Sequence, residues 1–135
     1  MQSGRRRFAF SATMSRDIEN VQNNTTIVFD NVITNIGTAY SPYNGIFTCK
    51  LAGIYVFVWT TTNKDRTGMN TELVLNGQWK GITFSDSGNH DDYSVASNTV
   101  VLHLDVGNQV WIRAGTWHTG HLGGESRSTF NGFML

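Results

Sequence analysis

The stretch Gly53-Ile54-Tyr55-Val56-Phe57-Val58-Trp59-Thr60-Thr61-Thr62 decides the fold. Successive side chains of an extended backbone point to opposite faces. Tyr55, Phe57 and Trp59 therefore line one face, and Ile54, Val56 and Val58 the other. A run that is apolar on both faces and bounded by glycine reads as a fully buried strand, or as one buried a second time by a partner. Working outward, Thr71–Leu75 and Gln78–Phe84 flank Asn76-Gly77, the strongest short hairpin signal. Ser97–Val106 alternates Val100, Leu102 and Leu104 with Val101, His103 and Asp105, and Gly107-Asn108 turns it into Gln109–Ala114. Arg7–Thr13, Thr26–Phe29, Gly45–Leu51 and Ser128–Leu135 add further strands. The only helix-like signal, Ser15–Asn24, is short and ends in Asn-Asn, so it reads as at most a turn of helix in a loop. Eight to ten strands with no crossover helix make an all-β, two-sheet antiparallel jelly-roll sandwich. Phe130, Phe133 and Leu135 need burial, so the last strand is expected to pair with the first.

Composition agrees with a single folded domain over residues 1–135 that begins with a basic arm, residues 1–7. Charged residues are 15% of the chain, and ten Lys and Arg balance ten Asp and Glu. No net field steers such a protein to nucleic acid or to an acidic membrane surface. No apolar run approaches the ~18 residues of a membrane span, so membrane insertion is not expected. Arg5-Arg6-Arg7 is shorter than a nucleic-acid or heparin patch and reads as a solvated arm. Met1–Arg7 is not followed by the apolar stretch of a signal peptide, so the chain reads as cytosolic, or as secreted with its signal absent from this chain. The overlapping sequons at Asn23 and Asn24 matter only in the second case.

Catalysis is not expected. The chain carries no Gly-x-Ser-x-Gly, His-Glu-x-x-His or phosphate loop. Cys49, the only cysteine, lies on an inward-packing strand and reads as an inert thiol. Two loops carry unusual chemistry. Asp86, His90, Asp91 and Asp92 precede Tyr93, and such an acidic loop is either simply solvated or a source of oxygen ligands for calcium. Trp117, His118 and His121 lie in a glycine-rich stretch between the last two strands. His118-x-x-His121 reads as a pair of solvated loop histidines, as two of the ligands of a zinc ion, or as part of a sugar- or anion-binding rim. Trp117, with Trp79 just after the hairpin turn, is hard to bury, and exposed Trp and Tyr offer flat faces to sugar rings or partner proteins.

Several motifs, in order, resemble one family. Phe29-Asp30, Asn35, Gly37, Tyr40, Gly45-Ile46-Phe47-Thr48-Cys49 and Gly53-Ile54-Tyr55-Val56-Phe57 look like the first half of the complement C1q-type globular domain. Leu75-Asn76-Gly77, Ala96-Ser97, Val101-Leu102-His103-Leu104, Gly107-Asn108-Gln109-Val110-Trp111 and Ser128-Thr129-Phe130-Asn131-Gly132-Phe133 look like the second. Asn108 replaces the usual acid of that turn, and Ala52 stands where many members have proline. The resemblance implies a ten-strand jelly roll shared with tumour-necrosis-factor-like proteins, secreted and trimeric, acting by binding. It also implies a calcium site near the trimer axis in some members. Asp86 falls where one of its acids is expected, whereas Ser94 takes the place of a second, so Asp91 or Asp92 would have to compensate. No Gly-X-Y tract is present, which aligns the chain with head-only members, abundant among invertebrate immune lectins.

These readings converge on a secreted homotrimeric lectin that binds microbial surface polysaccharides or other glycans. The expected ligand-binding residues are Trp117, His118, His121, Tyr93, His90 and Trp79, with Asp86, Asp91 and Asp92 as calcium ligands. The alternative is a cytokine-like or synaptic-organiser-like ligand that binds a protein receptor through the same loops.

Overall fold

The computed structural model describes residues 7–135; of the basic run, Arg5 and Arg6 lie outside the described residues. The strands are β1 (Ala9–Thr13), β2 (Asn31–Ile36), β3 (Phe47–Thr48), β4 (Gly53–Lys64), β5 (Gly68–Leu75), β6 (Gln78–Asp86), β7 (Tyr93–Leu104), β8 (Gln109–His118) and β9 (Thr129–Met134). They form two antiparallel sheets, in the orders β2-β1-β9-β4-β7 and β3-β8-β5-β6. The described residues contain no helix, and none of them forms one long and apolar enough to cross a membrane.

The period-2 reading of β4 decides the core. Tyr55, Phe57 and Trp59 are fully buried between the sheets, while Val56 and Val58 on the other face are only half-buried. Phe57 meets Phe47, Tyr55, Phe10 and Phe130 at ring-centroid distances of 5.4, 6.2, 6.4 and 6.1 Å. Cys49 is buried beneath this cluster, its thiol directed at the Leu51 carbonyl. Toward Lys64 the core turns polar. Trp59 Nε1 donates to Thr71 Oγ1, and a chain of hydroxyls through Thr83, Thr61 and Ser85 reaches the Asn63 side chain. The Asn76-Gly77 turn has positive φ at both residues (51° and 88°), the mirror-image geometry that suits a two-residue hairpin. The last strand does pair with the first, Ala12 opposite Phe130.

Three local expectations are corrected. Ser15–Asn24 contains no helix; Ile18 forms an extended bridge with Leu122 instead. Thr26–Phe29 is no strand of a sheet, although Thr26 forms an isolated bridge with Arg113 of β8, with the Thr25 carbonyl accepting from Ala114 N–H and Ile27 N–H donating to the Ile112 carbonyl. The strand in that region is β2, and Gly45–Leu51 shortens to Phe47–Thr48.

The outer face of the five-stranded sheet is divided. Ile36, Ala9, Phe133, Val56 and Val101 stand side by side in one register row across all five strands. Phe133 in the central strand is 44% exposed, and Ile36 and Val101 are 55% and 58% exposed. The next row but one, Ser11, Asn131 and Thr99 among it, is mostly polar, with Ser11 donating to Asn131 Oδ1.

Candidate functional site

Hairpin alternation sends the β4–β5 turn, the β6–β7 loop and the β8–β9 loop to one end of the sandwich. Backbone hydrogen bonds tie them together: Asp65 N donates to Asp92 O, Arg66 N to His90 O, Ser87 N to Thr67 O, and Thr119 N to Gly68 O. Two loops that stand apart in sequence therefore share one rim. The Asn63 side chain supports it from below, donating to Thr67 Oγ1 and to the His121 carbonyl.

Trp117 is 45% exposed on this rim. Its ring lies over Gly68, where a Cβ would come within 2.7 Å of the indole, and beside Phe84 at 6.0 Å. Its backbone N–H donates to Asn70 Oδ1, which fixes the strand end that carries it. Tyr93 is 54% exposed, and its ring is approached by Lys64 Nζ at 5.7 Å and by the Arg127 guanidinium at 5.9 Å. Two aromatic faces thus stand in solvent on strand ends, one of them, Tyr93, with charged groups over it.

The histidines are not free. Gly120 N–H donates to His118 Nδ1, so the ring proton sits on Nε2, which donates to Asn23 Oδ1 at 2.8 Å. Both His118 nitrogens are occupied, and the first sequon asparagine is one of the partners. His121 lies between two carboxylates, with Nε2 3.7 Å from Asp17 and Nδ1 3.7 Å from Glu19. Both rings are part-exposed and already hydrogen-bonded or ion-paired, and among the described residues no third ligand joins them as a metal site.

The acidic loop does not gather its oxygens. Asp86 Oδ1 accepts from Gly88 N, Asp92 Oδ1 accepts from Tyr93 N, and Asp91 forms an exposed 3.6 Å ion pair with Arg66. Ser94 Oγ accepts from the Asp86 N–H. Among the described residues no three His, Cys, Asp or Glu side chains come together as a metal site. Calcium needs six to eight oxygens, and Asp86, Asp91 and Asp92 do not form that set within one chain. His90 stands exposed on the same loop.

Trp79 is exposed as expected, at 60%, but at the other end of the molecule. Asp86 lies seven positions further along β6, roughly 23 Å at ~3.3 Å per residue. It does not join the rim.

Phe84, Lys64, Arg127 and Asp17 join the rim without having been expected there. Only Phe84 left a usable signal, since it shares the outward face of β6 with Asp86. Asp17 clamps the rim from behind. Its Oδ1 accepts from Gly124 N at 2.7 Å and from Arg127 at 3.2 Å, and Gly124 leaves no room for a side chain against the Arg16 backbone. The Gly124 N–H holds the Asp17 carboxyl below its ordinary value of 3.8; burial opposes this, and the charges of His121 and Arg127 add to it. A depressed carboxyl contributes stability that is present above its unfolded pKa and lost as pH falls through the folded one. Asp17→Asn is therefore expected to cost ~1 kcal/mol at neutral pH, an amount limited by the group's exposure. Its melting temperature should also fall less steeply than that of the wild type between about pH 5 and 3. Thermal melts across that range check both.

The C1q domain family profile matches residues 9–135. The chain is 34% identical over 130 residues to one of the subunits of the complement C1q subcomponent of Homo sapiens, covering 96% of this chain and 50% of that protein. It is 34% identical over 112 residues to complement C1q tumor necrosis factor-related protein 2 of Mus musculus, covering 82% and 36%. The chain thus spans half or less of the length of these curated relatives. Among solved structures, the globular domain of zebrafish complement 1qA protein superposes with a TM-score of 0.74 at 22% identity, covering 95% of this chain and 97% of that one. Murine APRIL gives 0.73 at 14% identity, covering 96% and 100%. These superpositions show the same fold, and the sequence match shows the family. The chain belongs to the C1q domain family and is a binding domain, not an enzyme.

Proposed function

We propose that this protein is a secreted recognition head that binds glycans on surfaces, microbial polysaccharides among them, through the rim that carries Trp117 and Tyr93. The observation that supports this reading is the pair of solvent-facing aromatic rings held at one end of the sandwich, Tyr93 with Lys64 and Arg127 over its ring and Trp117 beside Phe84. An aromatic face stacks on the C–H face of a pyranose, and the charged groups exchange hydrogen bonds with its hydroxyls. Each sugar hydrogen bond replaces one to water and nets only ~0.5–1.5 kcal/mol, so one site binds weakly. Useful affinity then comes from several heads acting together. The apolar row on the five-stranded sheet supports a homotrimer as the unit that links them, because closed cyclic symmetry buries such a face on every copy.

Trp117→Ala and Tyr93→Ala are each expected to lower binding to glycan-coated surfaces at least tenfold, while free monosaccharide binding, already weak, falls far less. Normal surface binding by both variants would move the site elsewhere. His121→Ala is a poorer probe, because His121 also holds Asp17 and Glu19.

A protein receptor is the second reading. Phe84 and Ile82 extend the exposed apolar strip along β6 further than a single sugar ring requires. Millimolar monosaccharide displaces a lectin from its target and leaves a receptor ligand bound, so a competition experiment separates the two. Asp86, Asp91 and Asp92 do not come together within one chain, so a calcium site would need further oxygens from a neighbouring copy, and a chelator is expected to leave the melting temperature of a single chain unchanged. A drop would show that the loop oxygens bind a cation after all.

A further inference from the structure

A cleft lies beside the segment that clamps the rim from behind. Met14, Arg16, Ile18, Val28, Asp30 and Tyr43 line a cleft of about 310 Å³, at the small end of the range for small-molecule sites. None of these residues belongs to the Trp117 and Tyr93 rim. The cleft is built by three close approaches. Met14 is held to the β8–β9 loop by backbone hydrogen bonds to Ser126 and Ser128. Ile18 is bridged to Leu122. The Ser41–Gly45 turn packs down on the Ile27–Val28 backbone, where Gly45 has no room for a Cβ.

Its chemistry is sorted by position. Ile18 and Val28, both half-buried, supply an apolar surface, with almost fully buried Met14 behind it. Asp30 is fixed in place, with Oδ1 accepting from Ser15 N at 2.9 Å and Oδ2 from Ser15 Oγ at 2.6 Å. Two hydrogen bonds leave lone pairs on both oxygens free to accept more. Burial raises the Asp30 pKa, but the Ser15 hydrogen bonds and the Arg16 charge more than offset it, so the carboxylate is ionised at neutral pH. The Arg16 guanidinium has no hydrogen bond or ion pair among the described residues. The Tyr43 ring is 93% exposed, with no ring partner among them. An aromatic face, a free fork of donors, a fixed acceptor and an apolar wall therefore surround one monosaccharide-sized volume.

From this arrangement we infer that the cleft binds an N-acetylated hexosamine. This rests on the glycan-binding reading and adds to it a second subsite of stated specificity. A plain hexose would set hydroxyls against Met14, Ile18 and Val28 and leave them without partners, which costs more than the hydrogen bonds gained elsewhere. An acetamido group places a methyl on that wall and offers an N–H to Asp30, while Arg16 donates to ring hydroxyls and Tyr43 stacks on the pyranose. A carboxylated sugar is disfavoured by the fixed negative charge of Asp30.

An amide-resolved NMR titration of the full chain with N-acetylglucosamine and, separately, glucose tests this. N-acetylglucosamine is expected to shift the amides of residues 15–18, 28–30 and 43 at millimolar concentration, with glucose at least tenfold weaker. Tyr43→Ala, at a fully exposed ring, is expected to leave the amide spectrum folded and weaken the shifts at least tenfold. Asp30→Asn is expected to reduce the preference for the acetamido sugar over glucose. Shifts confined to the 86–93 and 114–124 loops would overturn the cleft assignment and leave the glycan reading standing. Equal affinity for the two sugars would overturn the acetamido assignment. No shift with either sugar, together with no retention on glycan-coated surfaces, would overturn both.

Discussion

Phe133→Asp is expected to convert a homotrimer into monomers of 15.0 kDa. Phe133 stands at the middle of the register row Ile36, Ala9, Phe133, Val56 and Val101, on the central strand of its sheet. At 44% exposure it contributes little to the core of its own chain, so the substitution leaves the monomer folded. In the proposed trimer this face closes against neighbouring copies, and an aspartate there would lose its water without gaining a partner. A buried, unpaired charge costs far more than the several kcal/mol that a lost aromatic contact forfeits, so the interface opens rather than adjusts. Light scattering at micromolar concentration reads the mass directly. Binding to multivalent surfaces should fall with it by ~10²–10⁴, the amount that linked sites add, while the affinity of each site is unchanged. A wild-type monomer, or a variant that remains trimeric, would remove the five-stranded face from the assembly.

That prediction uses what was legible in sequence, the two-faced β4. Tyr55, Phe57 and Trp59 alternating with Ile54, Val56 and Val58 announced one buried face and one needing company, and the exposures divide in that way. Asn76-Gly77 was legible for the same kind of reason, a local backbone demand met by two residue types. Asn31–Ile36 was not. Its sequence Asn-Val-Ile-Thr-Asn-Ile has no apolar face because β2 is an edge strand exposed along most of its length. Backbone pairing with β1 makes it a strand, across a bulge between Ser11 and Ala12 that no residue pattern marks. Thr26–Phe29 misled for the opposite reason. Ile27 and Phe29 are buried, but as a segment laid against β8.

The candidate sites were legible only in part. Trp79 and Trp117 were correctly expected to be exposed, but Trp117 ends β8 and Tyr93 begins β7 where the sequence suggested loops. Which loops meet was not readable, since the rim is assembled by hairpin alternation over the whole sheet. Trp79 and Trp117 look alike in sequence and sit at opposite ends. The partners of His118 and His121 were hidden as well. They come from Asn23, Asp17 and Glu19, roughly a hundred residues away in the chain, on a segment whose local pattern suggested a turn of helix. Tyr43 lies in an evident Ser-Pro-Tyr-Asn-Gly turn and Asp30 follows Phe29, but nothing in sequence brings them together, and only the cleft between their segments singles them out.

Phe57→Ala is expected to be the most damaging single substitution on the buried face of β4. Phe57 is 0% exposed and meets four other rings within 6.4 Å between centroids. Removing a buried aromatic costs the transfer free energy of its atoms and the cavity they vacate, together ~3–5 kcal/mol. Against a total stability of ~5–15 kcal/mol that is a large share of the whole. Gly132 makes the complementary case from the other side of the same contact. A Cβ there would come within 2.6 Å of Phe10 and 2.8 Å of Phe57, so Gly132→Ala has to push packed rings apart at ~1–3 kcal/mol. The two changes meet at one place, and their effects are therefore not independent. Phe57→Ala opens room for the methyl that Gly132→Ala adds, so the double variant should be more stable than the sum of the single losses implies. Urea denaturation of the wild type, both single variants and the double variant measures this coupling. Strict additivity would mean that Gly132 and Phe57 do not press on each other, and that the aromatic cluster is looser than its ring distances imply.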